Sequence, residues 1–417
     1  MSLSKTICFV TSGHLSQNPR LYKEAFTAHE AGYKVKIIAV QMYDWTAQFD
    51  QSLLKDHPGI EFYPVSIQQS RIGSRLRRLS VAMRSRAAKF LYSFNQSLKN
   101  SENAFHGIVS ELKRCARAHA ADIYVGHNLP ALAAASEGAR FHGSAFGFDL
   151  EDFHLGEASN QSKERSMWVR QIETFYFKEA AYLTASSPFI AEAYKNAYLG
   201  ILKPEVILNV FPVRKLKFKD ELENQPHSFR KKISLFWFSQ MIGPGRGLED
   251  VVAAIREMAS ADIEIHLVGT HDESAKNRLL SGMSAEQKTK LFFHFQVNPR
   301  ELIRFASEHD LGLALEHPGT LNHDLCISNK IFMYLSSGLG IIATSTQGQD
   351  YIRNDIPGAF RHYSAGKSCE LAAILSDLIR HPDQISAMKS AAFQAAQDKY
   401  CWELESQKWL RVIRGII

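Results

Sequence analysis

In the segment FWFSQMIGPGRGLEDVVAAI, Gly243, Gly245 and Gly247 surround Arg246, between an apolar run ending at Phe238 and an amphipathic stretch opening at Leu248. Such a turn lets main-chain N–H groups approach an anion, sets it near the positive end of a helix, and adds a guanidinium that grips two oxygens at once. A phosphate group suits it; a plain tight turn between strand and helix also accounts for the glycines. The spacing matches neither the dinucleotide GxGxxG nor the GxxxxGK[ST] phosphate loop. A second segment, ALEHPGTLNHDLCISNKIFMYLSSGLGIIA, opens a helix at Ser328 and Asn329, with Ile331, Phe332 and Leu335 as core positions and Gly338 as its stop. A helix start at the carboxyl end of a parallel strand is where open α/β sheets take ligands. A cap that merely satisfies its own amides is the alternative.

Two further groups carry reactive side chains. His127 follows an apolar run and precedes Asn128, Leu129, Pro130 and a helical stretch, which places it at a strand end. Asp149, Glu151 and Asp152 cluster at another strand end, where they can orient a hydroxyl, act as a base or cap a loop. Glu151 and Asp152 are equally placed for the chemical role. From Phe62 to Ser101 there is no acidic residue, whereas Arg71, Arg75, Arg77, Arg78, Arg84, Arg86, Lys89 and Lys99 all occur. Leu76, Leu79, Met83, Ala87, Phe90 and Phe94 recur there at steps of three and four, one apolar stripe beside a cationic face. Such a helix either rests on an anionic membrane surface, with Arg75, Arg78 and Arg86 facing it, or packs its stripe into a core and leaves the basic face in water. The aromatics lie on the stripe and are not interleaved with the arginines, which argues against nucleic acid.

These residues must be positioned by a chain of 417 residues, 45% hydrophobic and 22% charged, an ordinary globular composition that excludes disorder, collagen and coiled coil. A net charge of +6 is too small to require nucleic acid. The five scattered cysteines, never spaced CxxC, argue against a disulfide framework or a structural zinc site. The opening MSLSKTICFVTSG reads as a first strand and not as a secretory leader, and no run approaches the length of a membrane span, so the expected location is the cytoplasm. Strand-like runs at Thr6 to Val10, Val35 to Val40, Ile123 to Val125, Ala145 to Phe148, Tyr182 to Ala185 and Val206 to Leu208 alternate with helical stretches. That order predicts a parallel sheet with right-handed crossovers. A charge-dense stretch without periodicity follows, and the alternation restarts at Ile233 to Phe238, continuing through Ile263 to Val268, Leu291 to Phe295, Leu311 to Leu315 and Ile341 to Ala343. The expected class is α/β, two similar domains with parallel sheets facing across a cleft: residues 1–213, a linker 214–232, residues 233–395, and a terminal helix 396–417.

Taken together, GPGRGLEDVVAAI and ISNKIFMYLSSGLGIIATS resemble the donor-binding half of a GT-B glycosyltransferase of the family-4 type, with two Rossmann-like domains. NPRLYKEAFTAHEAGYKVKII resembles the family's opening helix and second strand, ADIYVGHNLPALAAA its acceptor-side histidine motif, and GFDLEDFH, loosely, its next segment. ASSPFIAEAY and VILNVFP resemble the last elements before the linker, and KYCWELESQKWLRVI the helix that crosses back to the first domain. The resemblance implies metal-independent, retaining transfer of a sugar from a nucleotide diphosphate donor to a glycan or lipid-linked acceptor in surface polysaccharide biosynthesis. It implies no bound cofactor, and a cytoplasmic enzyme that, if membrane-associated, is peripheral at the inner face. Gly245, Arg246, Gly247 and the helix start at Ser328, Asn329 and Lys330 would hold the diphosphate. Gly13 would approach the phosphates, His127 would face the transferring sugar, Glu151 or Asp152 would serve the acceptor, and Val297 and Asn298 would meet the nucleobase. The family's ribose-binding glutamate falls on Met333 and its earlier partner on Leu325, which leaves Glu316 and Asp324 as nearby carboxylates for sugar or ribose. A sugar-nucleotide epimerase or phosphorylase on the same scaffold, or a non-catalytic relative that binds a glycan or a partner, stands as the alternative.

Overall fold

The computed structural model describes residues 4–68, 70, 72–157, 163–213, 232–258 and 262–417. The expected linker 214–232 lies, apart from Lys232, outside the described residues. The chain divides into two compact units, Met1–Leu208 with Ser406–Ile417, and Asn209–Glu405.

The first unit is built on strands β1 (Thr6–Thr11), β2 (Lys34–Gln41), β3 (Glu61–Ser66), β4 (Ile123–His127), β5 (Ala145–Leu150), β6 (Tyr182–Ala185) and β7 (Glu205–Val206). They pair in parallel in the order β3-β2-β1-β4-β5-β6-β7. Helices cover both faces, so the central strands read as unbroken apolar runs, with Ile7 to Val10 fully buried. The chain order reverses between β1 and β4, and there the register aligns Thr11 with His127, His127 with Asp149, and Asp149 with Thr184. Four polar side chains thus stand in one row at the carboxyl edge of the sheet, where open α/β sheets bind ligands. The terminal helix Trp402–Arg414 contributes to this unit by laying Trp409 on Phe9, with ring centroids 6.0 Å apart.

The second unit holds β8 (Ile233–Met241), β9 (Ile263–Thr270), β10 (Leu291–His294), β11 (Leu311–Ala314), β12 (Gly340–Thr344) and β13 (Phe360–Tyr363), in the parallel order β10-β9-β8-β11-β12-β13. Its reversal falls between β8 and β11, which lead into the glycine-rich turn and, two residues past Ala314, to Glu316. The two strands not expected from the sequence, β3 and β13, are sheet edges. β3 carries Pro64, and β13 is the short, polar FRHY; an edge strand needs neither a full set of N–H donors nor an apolar run on both faces. Among the described residues no helix is long and apolar enough to cross a membrane.

Candidate functional site

In the first unit the row at the sheet edge is completed by the helix Pro19–Glu30. Asn18 caps it through its side-chain oxygen on the Leu21 N–H, 3.0 Å away, and Pro19 occupies the first turn, where a missing N–H costs nothing. One turn apart on its buried face sit Arg20 and Glu24. Arg20 forks onto Asp149, Nε to Oδ2 at 2.5 Å and a terminal nitrogen to Oδ1 at 2.6 Å, and also donates to the Ile207 carbonyl at 2.6 Å. Thr184 adds a hydrogen bond to Asp149 at 2.6 Å. His127 stands between carboxylates: Nδ1 lies 2.8 Å from Glu151 and 3.5 Å from Asp149, and Nε2 lies 3.3 Å from Glu24. Asn18 and Asn128 both donate to Glu151, at 2.7 and 3.2 Å, and Thr11 donates to Asn128 at 2.7 Å. Asn128 takes φ of +70°, the only non-glycine among the described residues in that region, and its side chain bridges Glu151 and Thr11 from this strained backbone.

His127 and Asp149 are fully buried and Glu24 nearly so, whereas the Glu151 side chain keeps 19% of its exposure. The expectation that His127 faces a sugar is therefore revised: the ring holds carboxylates, and Glu151 is the member of the cluster that reaches the surface. Asp152 is half-buried beside it, its carbonyl accepting from Tyr194 at 2.9 Å. Glu24, His127 and Asp149 also bring three potential metal-ligand atoms within 4.8 Å of one another. Both Asp149 oxygens are taken by Arg20, and Glu24 and Asp149 address opposite ring nitrogens, so the set suits an imidazolium better than an ion. Gly13 sits near the same edge, its carbonyl accepting from Val40 at 3.1 Å.

The electrostatics agree with that reading. Burial alone would depress the His127 imidazole, but Glu24, Glu151 and Asp149 carry it up to about 10. Burial would raise Asp149, yet the Arg20 guanidinium brings it below the usual carboxylate range; burial does raise Glu24, more than His127 lowers it. A second buried imidazole, His154, lies 2.6 Å from Glu173 and is likewise carried up to about 9 against its burial. A histidine whose folded pKa exceeds its unfolded value near 6.5 stabilises fully below that value and ceases to as pH rises through the folded pKa. Stability in urea should accordingly fall between about pH 7 and 10, and His127→Gln should flatten that fall. A midpoint independent of pH over this window would contradict the imidazolium assignment.

In the second unit the turn after β8 gives Gly245 and Gly247 φ values of +72° and +77°. A Cβ on Gly247 would stand 2.3 Å from the Leu315 carbonyl, so only glycine lets this turn press against the end of β11. Arg246, between them, is exposed and has no partner among the described residues. The helix Leu248–Glu257 begins directly after it. The residue after Leu315 is Glu316, whose Oε1 receives Ser328 Oγ at 2.7 Å and Lys330 Nζ at 2.6 Å, while Oε2 is buried with no hydrogen-bond partner among the described residues. Burial would raise this carboxyl, but Lys330 and Ser328 hold it below the ordinary glutamate range. Ser328 caps the helix Asn329–Ser336 on the Lys330 N–H, and Asn329 accepts from Asn209 at 2.7 Å. Gly245, Arg246, Gly247, Glu316 and Ser328 to Lys330 are thus brought together at the switch between β8 and β11.

Val297 and Asn298 lie after β10; their neighbour Gln296 donates to the Gln240 carbonyl near the end of β8 at 2.7 Å, which draws that loop toward the turn. Asp324 is placed otherwise than expected. Its two oxygens take the N–H and side chain of Gln347 at 3.0 and 2.7 Å, which ties it to the first turn of the helix Gln347–Asp355, capped by Thr346. Met333 is fully buried, its sulfur accepting from Ser337 at 3.4 Å. The sequence reading missed Arg20, Glu24 and Asn128. A signal was present for the first two: charges four apart on the helix face that also carries Leu21, Ala25 and Ala28.

No protein-family model and no curated protein matches the chain. Solved structures do. The Anabaena protein HepE in complex with UDP-glucose shares 13% identity over 99% of this chain and 100% of that one, with a TM-score of 0.69. Sucrose-phosphate synthase from Thermosynechococcus elongatus follows at 12% identity, 99% and 98% coverage and TM-score 0.65. A putative UDP-N-acetylglucosamine 2-epimerase from Listeria monocytogenes aligns at 11% identity, 99% and 96% coverage and TM-score 0.60. With two parallel α/β sheets aligned along nearly their whole length, the chain has the GT-B fold that glycosyltransferases of this kind display.

Proposed function

We propose that the protein is a glycosyltransferase that uses a nucleotide diphosphate sugar. The observation that carries this is the exposed Arg246, without a partner among the described residues, in a turn of left-handed glycines pressed against the end of β11, where Glu316 receives Ser328 and Lys330 from the start of the next helix. A diphosphate there meets a guanidinium, an ammonium and helix amides, which stabilise the charge that grows on the leaving group as the sugar departs. These groups supply the positive charge a divalent ion would otherwise bring, so transfer should persist in EDTA; its abolition by chelation and recovery with magnesium would contradict metal independence. The buried, unpaired Glu316 Oε2 is the acceptor we assign to a ribose or sugar hydroxyl, in the place left by Met333.

In the first unit, Glu151 orients or deprotonates the acceptor hydroxyl, held by Asn18, Asn128 and the His127 imidazolium. We assign a glycan, free or lipid-linked, as the acceptor, and retention as the stereochemical course. Anomeric assignment of the product by NMR tests the latter. Because a putative 2-epimerase shares the fold, product analysis separates the two chemistries: a glycosylated acceptor supports transfer, and free epimerised sugar nucleotide supports the alternative.

A further inference from the structure

The helix Ile72–Tyr92 carries two apolar faces. Ser74, Val81, Ala88 and Tyr92 face inward and seat it on the first unit. The contact is close: a Cβ on Gly107 would stand 2.2 Å from the Val81 carbonyl, and Arg84 ties the helix to the Gly107 carbonyl at 2.9 Å and to Glu111 at 3.2 Å. At roughly 3.6 residues per turn, Ile72, Leu76, Leu79, Met83 and Phe90 fall on the opposite side. There they are open to solvent, Ile72 at 78% and Phe90 at 67% exposure, and Phe94 just beyond the helix reaches 76%. The alternative in which this stripe fills a core is therefore excluded. A helix held firmly by one face displays its broader apolar face outward, which soluble proteins reserve for a partner.

We infer that this face docks on an anionic lipid bilayer. Charge selects that occupant. Arg75, Arg78, Arg86 and Lys89 are exposed along one border of the apolar stripe, and no acidic residue occurs from 62 to 101. A bilayer with acidic headgroups meets apolar side chains at its acyl boundary and cations at its headgroups together, as interfacial amphipathic helices require. A second copy would instead set cations against cations. Past the helix end lies a groove of about 640 Å³ with Tyr92, Met167 and Phe175 in its lining and Arg170, Lys178 and one acid, Glu179, alongside. Tyr92 joins the two regions, its ring packing edge-on to Trp168 at 5.9 Å. This inference stands independently of the sugar-transfer reading.

The test is flotation of the full-length protein with vesicles of phosphatidylcholine alone or containing about 30% phosphatidylglycerol. Binding is expected with the anionic vesicles only, weakened by raised salt. Leu79→Ser with Phe90→Ser should abolish it, and Arg75→Glu with Arg86→Glu should weaken it at least about tenfold, with melting temperature unchanged because all four side chains are exposed. Three results would each overturn the inference: no flotation with anionic vesicles, equal flotation with neutral ones, or a concentration-dependent dimer that the serine variant dissolves while vesicles remain unbound.

Discussion

Replacing Arg246 by alanine should lower kcat/KM for the nucleotide sugar by about a hundredfold or more while leaving the fold intact. The side chain is exposed and bonds to nothing among the described residues, so its loss removes no contact seen to support the second unit. Its charge matters only when an anion arrives. Deleting one preorganised donor from the place where charge develops typically costs about 10² to 10³ in rate. Lysine at 246 should recover only part of the loss, since an ammonium offers a point charge where the guanidinium offers a fork. The check is steady-state kinetics beside thermal melting of the free protein. A variant that turns over normally would remove Arg246 from the site, and one that melts much lower would make its role structural.

The largest effect on stability should come from Arg20→Met. The substitution keeps the volume of the stem but strips Asp149, wholly buried, of its guanidinium and two short hydrogen bonds, leaving only His127 and Thr184 to compensate its charge. Breaking a buried pair from one side costs about 3–5 kcal/mol. In a unit of this size that corresponds to a fall in melting temperature on the order of 10 °C. Pairing the change with Asp149→Leu should restore much of the loss, because the stranded charge is gone. If the double variant melts no higher than the single one, the cost lay in packing and not in charge.

The fold was legible because parallel strands buried on both faces must be largely apolar, and β1, β2, β4, β8, β9 and β12 each carry such a stretch. The edges β3 and β13, free of that constraint, left no such trace. In the second unit each half of the candidate site could be read locally, the glycines flanking Arg246 and Ser328 opening its own helix, although the sheet is what brings the two halves together. The first unit's site is assembled by register, which sets His127 beside Asp149 and Thr11, and by a helix that delivers Arg20 and Glu24 from more than 100 residues away. Single-sequence patterns carry no such pairing. The reading of His127 as a sugar contact came from the family resemblance, its strand-end place marking it only as a candidate site residue, and the carboxylates that enclose it became visible only in three dimensions. For the basic helix, periodicity showed an apolar stripe but could not tell which side of the helix was packed. Ser74 and Ala88, small and unremarked, are what turn the stripe outward.

The most direct measurement is a crystal structure of the protein soaked with UDP-glucose and, in parallel, with other nucleoside diphosphate sugars. The expected result is density for two phosphoryl groups against Arg246 and the Ser328 to Lys330 helix start, with a hydroxyl near Glu316. A pocket that stays free of every compound in the panel, while Arg246 folds back onto the protein, would contradict the assignment of this unit as a nucleotide-sugar site.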